Sequence, residues 1–98
     1  MNNDENFGRI YDGMNNSYSE LEKMAEYFYG CIQKDPNDEM SKELFKGLTT
    51  AMQGILTTQK DLINSSCDPS IKDSLIALAN EKSRNLNDAL QEVINKNR

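Results

Sequence analysis

Carboxylates are the side chains of this 98-residue chain with the most obvious chemical potential, and Glu20, Glu22, Glu26, Asp38, Glu39 and Glu43 crowd its first half. Paired carboxylates can act as general acid and base, or hold a metal. Neither use is expected here. The chain has no histidine, so it lacks the Glu-x-x-His pairs with which helical bundles hold paired metals. The six acids also flank an apolar stripe instead of interrupting it, as a solvated face does. Cys31 and Cys67 stand far apart, and no glycine-rich loop is present. The residues therefore predict a nonenzymatic protein with no catalytic residue, no cofactor and no bound metal.

The elements that position these groups are set by a repeated dipeptide. Asp-Pro occurs at Asp35-Pro36 and Asp68-Pro69 and divides the chain into three stretches of helical periodicity. In the first, Phe7, Ile10, Tyr11, Met14, Tyr18, Leu21, Ala25, Phe28 and Ile32 recur at intervals of three and four residues, one apolar face of a helix over about residues 5 to 33. Asn and Asp at positions 2 to 4 can accept hydrogen bonds from its first amides. Asp35 is expected to cap the second helix, with Pro36 at the first helical position and Asp38 and Glu39 near the positive end of its dipole. That helix runs over about 36 to 64 and carries Met40, Leu44, Leu48, Met52, Ile55, Leu56, Leu62 and Ile63. Asp68-Pro69 repeats the signal before a third helix over about 69 to 96, with Ile71, Leu75, Leu78, Leu86, Leu90, Val93 and Ile94. Lys82 and Asn85 interrupt this last stripe, a gap that could fix register or mark a bend. The expected architecture is a single all-α domain, a long helical hairpin plus a third helix in an elongated coiled-coil-like bundle. The 33-residue spacing of the two signals resembles that of a helical repeat, but the second helix has no break in the middle, and two independent caps explain it.

Three groups of residues suggest interaction surfaces. Gly47 and Gly54 lie on one side of the second helix, where glycine costs about 1 kcal/mol each relative to alanine; a backbone approaching from within the bundle or from a neighbouring subunit would compensate, and a solvated face is the alternative. Tyr27-Phe28-Tyr29 must point in different directions around a helix, so Tyr27 or Tyr29 is expected to cover a second interface or stay partly exposed. Lys72, Lys82, Arg84, Lys96 and Arg98 could form a thin basic strip for nucleic acid, although Asp73, Glu81, Asp88 and Glu92 alternate with them as in a solvated ion-pair face.

Net charge narrows the function classes further. The chain carries −5, with ten acids against four bases in residues 1 to 43 and six against seven in residues 44 to 98. Generic coating of nucleic acid is disfavoured, because that affinity comes from Lys and Arg displacing counterions. A ring of copies would multiply the few bases present. No signal-peptide pattern opens the chain and no apolar run approaches the roughly 20 residues that span a bilayer. A cytoplasmic protein with no membrane partner and two reduced, buried thiols is expected.

At residues 7 to 14, Phe-Gly-Arg-Ile-Tyr-Asp-Gly-Met resembles the start of the central region of small terminase subunits of T-even-type tailed bacteriophages, where an aromatic-Gly-x-Val-x-x-x-Met run opens the first long helix. Leu21, Ala25 and Phe28 fall at matching spacing, and a proline-containing turn follows. The segment from Gly54 to Leu62, Gly-Ile-Leu-Thr-Thr-Gln-Lys-Asp-Leu, is similar to the family's Ile-Leu…Lys-Asp-Met segment. The likeness covers about residues 5 to 63. It departs at Pro36-Asn37, where the family has Pro-Arg, and in lacking the long segment that usually precedes the first helix, so DNA contacts made by those parts are not implied. The third helix has no clear counterpart.

This resemblance implies a DNA-packaging component that forms a homo-oligomeric ring, helps select viral double-stranded DNA and regulates the ATPase and nuclease of the large terminase subunit in the host cytoplasm. The bottom-up alternative is a small helical adaptor, chaperone or immunity or inhibitor protein with one protein partner. Oligomeric mass separates the two.

Overall fold

A computed structural model describes residues 3–66 and 68–95. It consists of three helices, α1 (Asn3–Lys34), α2 (Glu39–Ser66) and α3 (Pro69–Asn95), with no strand among the described residues. The molecule measures 52 × 20 × 14 Å. At 1.5 Å per residue α1 is about 48 Å long and nearly spans the long axis. The elongated all-α bundle read from periodicity is the fold that forms.

The two Asp-Pro signals have different outcomes. Asp68 behaves as expected: its carboxylate accepts from the Ser70 amide at 2.9 Å, its carbonyl accepts from Ile71 and Lys72, and Pro69 opens α3. Asp35 does not cap α2. Its carboxylate accepts from the Asn37 amide and its carbonyl from the Asp38 amide, both at 3.0 Å, which makes Asp35 to Asp38 a turn with proline in its favoured second position. Asp38 takes over as the cap, accepting from the Ser41 amide at 3.0 Å and the Ser41 hydroxyl at 2.7 Å. The second helix thus starts three residues later than expected, because Asp38 has a serine at the third helical position to bind and Asp35 does not. These bonds hold the carboxyls of Asp38 and Asp68 below their ordinary range. The cap expected among residues 2 to 4 lies outside the described side chains.

Helix α2 is the central element, packed on one flank by α1 and on the other by α3. Tyr18, Ala25 and Ile32 of α1 recur every seven residues and bury against Phe45, Met52 and Leu56 of α2, with Val93 of α3 closing the cluster. Each fully buried aliphatic side chain stabilises the fold by roughly 1.5–3 kcal/mol. Polar pairs set the register. Gln59 is 2 % exposed and donates to Asn15 of α1 at 2.8 Å. On the other flank, Gln53 donates to the Ser83 carbonyl at 2.9 Å and accepts from the Ser83 hydroxyl at 2.7 Å, with Asn87 at 3.3 Å. The polar bonds between α2 and α3 thus come from Asn80, which accepts from Lys60 at 3.1 Å, and from Ser83 and Asn87, while Lys82 reaches α1 instead.

Candidate protein-binding surfaces

Two apolar surfaces remain incompletely covered. The first runs along the outer flank of the α1–α2 hairpin. Helix α2 carries two parallel seven-residue patterns: Phe45, Thr49, Met52, Leu56, Gln59 and Ile63 are buried, whereas Leu44, Leu48, Ala51, Ile55 and Leu62, one position earlier, are half-buried or exposed. Helix α1 repeats the arrangement, with Ile10, Met14, Leu21, Met24, Phe28 and Cys31 displaced from the buried stripe. Ile10 is 47 % exposed and Met24 is 46 % exposed. At 100° per residue Met24 lies about 120° around α1 from Tyr18, which meets α3. This seam therefore faces away from α3, where a fourth helix of a bundle would sit.

The edge of the seam on α2 is uncharged. From Gly47 to Gln59 no residue is ionisable, and Gly47, Thr50, Ala51, Gly54, Thr57 and Thr58 are all exposed. A Cβ added at Gly47 or Gly54 meets nothing within 4 Å. Among the described residues neither glycine seats a neighbouring backbone, which leaves a second molecule or solvent to face them.

The second surface is a cleft of about 260 Å³ between α1 and α3, floored by Phe45, Thr49 and Met52 of α2. Ala25 and Tyr29 line it from α1, Leu86 and Ala89 from α3, and Glu22 and Glu26 form its α1 lip. Thr49 adds no free donor to the floor, since its hydroxyl is bonded to the Phe45 and Lys46 carbonyls of its own helix. Two contacts bridge α1 and α3 beside the cleft. The Lys82 ammonium sits 5.1 Å over the Tyr18 ring, and the Tyr29 hydroxyl donates to Glu92. Tyr18 and Tyr29 are eleven residues apart, so the bridges stand about 16 Å from each other along α1. The Glu92 hydrogen bond, with burial, raises the Tyr29 phenol above its ordinary pKa; burial, with Glu22, raises Tyr18.

The singled-out residues are distributed as follows. Tyr27 is 67 % exposed and meets Phe28 edge-on, on the seam side of α1. Tyr29 points the other way, tilted against Phe45 and bonded to Glu92, so within the chain it bridges helices. Lys82 and Arg84 lie about 160° apart around α3 and do not share a face, whereas Lys72 lies about 80° from Lys82 and about 120° from Arg84. Lys96 and Arg98 lie outside the described residues, as does Cys67; Cys31 is a half-buried free thiol. Of the six acids, Glu20 pairs with Lys23 and Glu43 with Lys46. Glu39 lies 3.7 Å from the Lys42 ammonium, Asp38 caps α2, and only Glu22 and Glu26 meet at a cavity. No group of three or more metal-ligating acids, cysteines or histidines assembles among the described residues, and no described helix is long and apolar enough to cross a membrane.

Sequence reasoning missed the cleft because its two walls come from opposite ends of the chain. The Tyr29–Glu92 bond joins residues 63 positions apart, and no local pattern announces it. Lys42 is a second surprise: its side chain is 5 % exposed, yet its ammonium has no hydrogen-bond acceptor among the described residues. Compared with known proteins, the chain matches no family model, no curated protein and no solved structure.

Proposed function

We propose that this chain is a nonenzymatic assembly subunit of the small terminase type, which associates with its own copies through the outer seam of the α1–α2 hairpin to form a ring. In that role it helps select viral DNA and regulates the large terminase subunit. The observation that carries the reading is the second apolar stripe, present in matching form on both helices of the hairpin and bordered by an uncharged strip from Gly47 to Gln59. A neighbouring hairpin laid into this seam buries Met24, Leu44 and Ile10 and brings its backbone close to Gly47 and Gly54, where small residues permit it. The resemblance at residues 7 to 14 and 54 to 62 supplies the specific function. Because Arg84 points away from Lys72 and Lys82 around α3, any grip on DNA depends on repetition around the ring more than on a strip within one copy.

Sedimentation of the wild type and of Met24→Glu/Leu44→Glu, two side chains exposed in the single chain, tests the seam. The wild type is expected as a high-order oligomer and the double variant as a folded 11.1 kDa monomer. An identical oligomer in both would place the interface elsewhere. The second reading, a monomeric or dimeric adaptor, chaperone or inhibitor with one protein partner, is favoured by the cleft between α1 and α3, which a ring built on the outer seam leaves open. A stable wild-type monomer that recovers one specific partner would select it.

A further inference from the structure

The cleft between α1 and α3 lies on the opposite flank of the bundle from the seam, and its chemistry specifies an occupant. We propose that it docks a basic amphipathic peptide segment of a partner protein, with one apolar side chain entering the cleft and an Arg or Lys one helical turn away pairing with Glu22 and Glu26. The floor is apolar and buried: Phe45 is 3 % exposed and Met52 is 2 % exposed. A dry apolar cavity of about 150 Å³ holds a benzene ring, so about 260 Å³ accepts a branched aliphatic or aromatic side chain. The lip is acidic. Glu22 and Glu26 are four residues apart on one face of α1, are exposed, and form no ion pair with any described base. Glu92 adds a third carboxylate beside Tyr29, and among the described residues Lys82, stacked on Tyr18, is the base that bridges to this flank, so three carboxylates stand against one ammonium there. An acidic or neutral peptide would meet uncompensated carboxylates; a basic one neutralises them on binding.

This site does not depend on the ring, since the seam and the cleft occupy different flanks of α1. The test uses the full chain and two fluorescein-labelled helical peptides, one built of Leu, Ala and Arg and its counterpart with Glu in place of Arg. Fluorescence anisotropy should show binding of the Arg peptide only. Glu22→Gln/Glu26→Gln, whose side chains are exposed, should keep the fold and weaken that binding about tenfold. Raising salt to about 1 M, where the screening length falls to about 3 Å, should weaken it for the wild type far more than for the variant. Methyl NMR of labelled methionines locates the peptide: the Met52 methyl should shift, while Met24 and Met40 on the far side should not. Ala89→Trp, which fills the cleft from α3, should abolish the Met52 shift. Equal binding of the Glu peptide, an unchanged affinity in the Gln variant, shifts at Met24 or Met40 in place of Met52, or no binding of either peptide each overturns the proposal.

Discussion

Gly47 and Gly54 separate the stability of the single chain from its association in one experiment. Both lie inside α2, both are exposed, and a Cβ at either position meets nothing within 4 Å. Alanine should then stabilise the isolated bundle by about 1 kcal/mol at each site, from helix propensity alone. The sites are seven residues, or about 10 Å, apart and share no partner, so the effects should add to about 2 kcal/mol. For a domain of this size that raises the melting temperature by about 8–16 °C. The assay is thermal melting of Gly47→Ala/Gly54→Ala by circular dichroism, in dilute solution where association is suppressed. An unchanged or lowered melting temperature there would refute the claim that this face of α2 is open. Gly54→Leu then probes the seam. Leucine is also a good helix former, so the dilute melt should rise, while its bulk beside Ile55 should weaken association measured by sedimentation. If association is untouched, no neighbouring backbone seats at this glycine.

Other substitutions test particular contacts. Asp38→Ala should lower the urea unfolding midpoint by removing the cap, and Asp38→Asn, which keeps an acceptor, should lower it less. The Asp38 and Asp68 carboxyls titrate below their ordinary value in the fold, so the stability they contribute is present above about pH 4 and is lost as pH falls through the lowered values. Asp38→Ala should accordingly show a shallower acid limb, and an unchanged limb would count against the cap. Gln53→Ala removes the bonds to Ser83 and Asn87 and should destabilise by about 1–2 kcal/mol; a neutral result would mean that these bonds do not set the α2–α3 register. Lys42→Met replaces a buried ammonium that has no acceptor among the described residues with an apolar chain of similar length, and should leave stability unchanged or higher. A loss of about 1 kcal/mol or more would show that the ion pair with Glu39 matters.

The helices were legible in the sequence because each carries a long apolar stripe and each break carries an Asp-Pro pair. Asp68 acted as read, since nothing competes with it for the first turn of α3. Asp35 was misread because a second acid three residues on, Asp38, finds Ser41 for both a backbone and a side-chain bond; two candidate caps in one loop are separated by their partners, not by their types. The double stripe on α1 and α2 was present in the spacing of Leu44, Leu48, Ile55 and Leu62. Which stripe is buried depends on where α3 packs, and no local spacing in α1 or α2 states that. The same placement decides the cleft. Glu22 and Glu26 looked like any other solvated acids until α3 set Leu86 and Ala89 opposite them.

The most direct test of association through the outer seam is the mass of the native particle. Native mass spectrometry at micromolar concentration should return a large integer multiple of 11.1 kDa that collapses to the monomer in Met24→Glu/Leu44→Glu. A wild-type chain that stays at 11.1 kDa under those conditions would contradict the account.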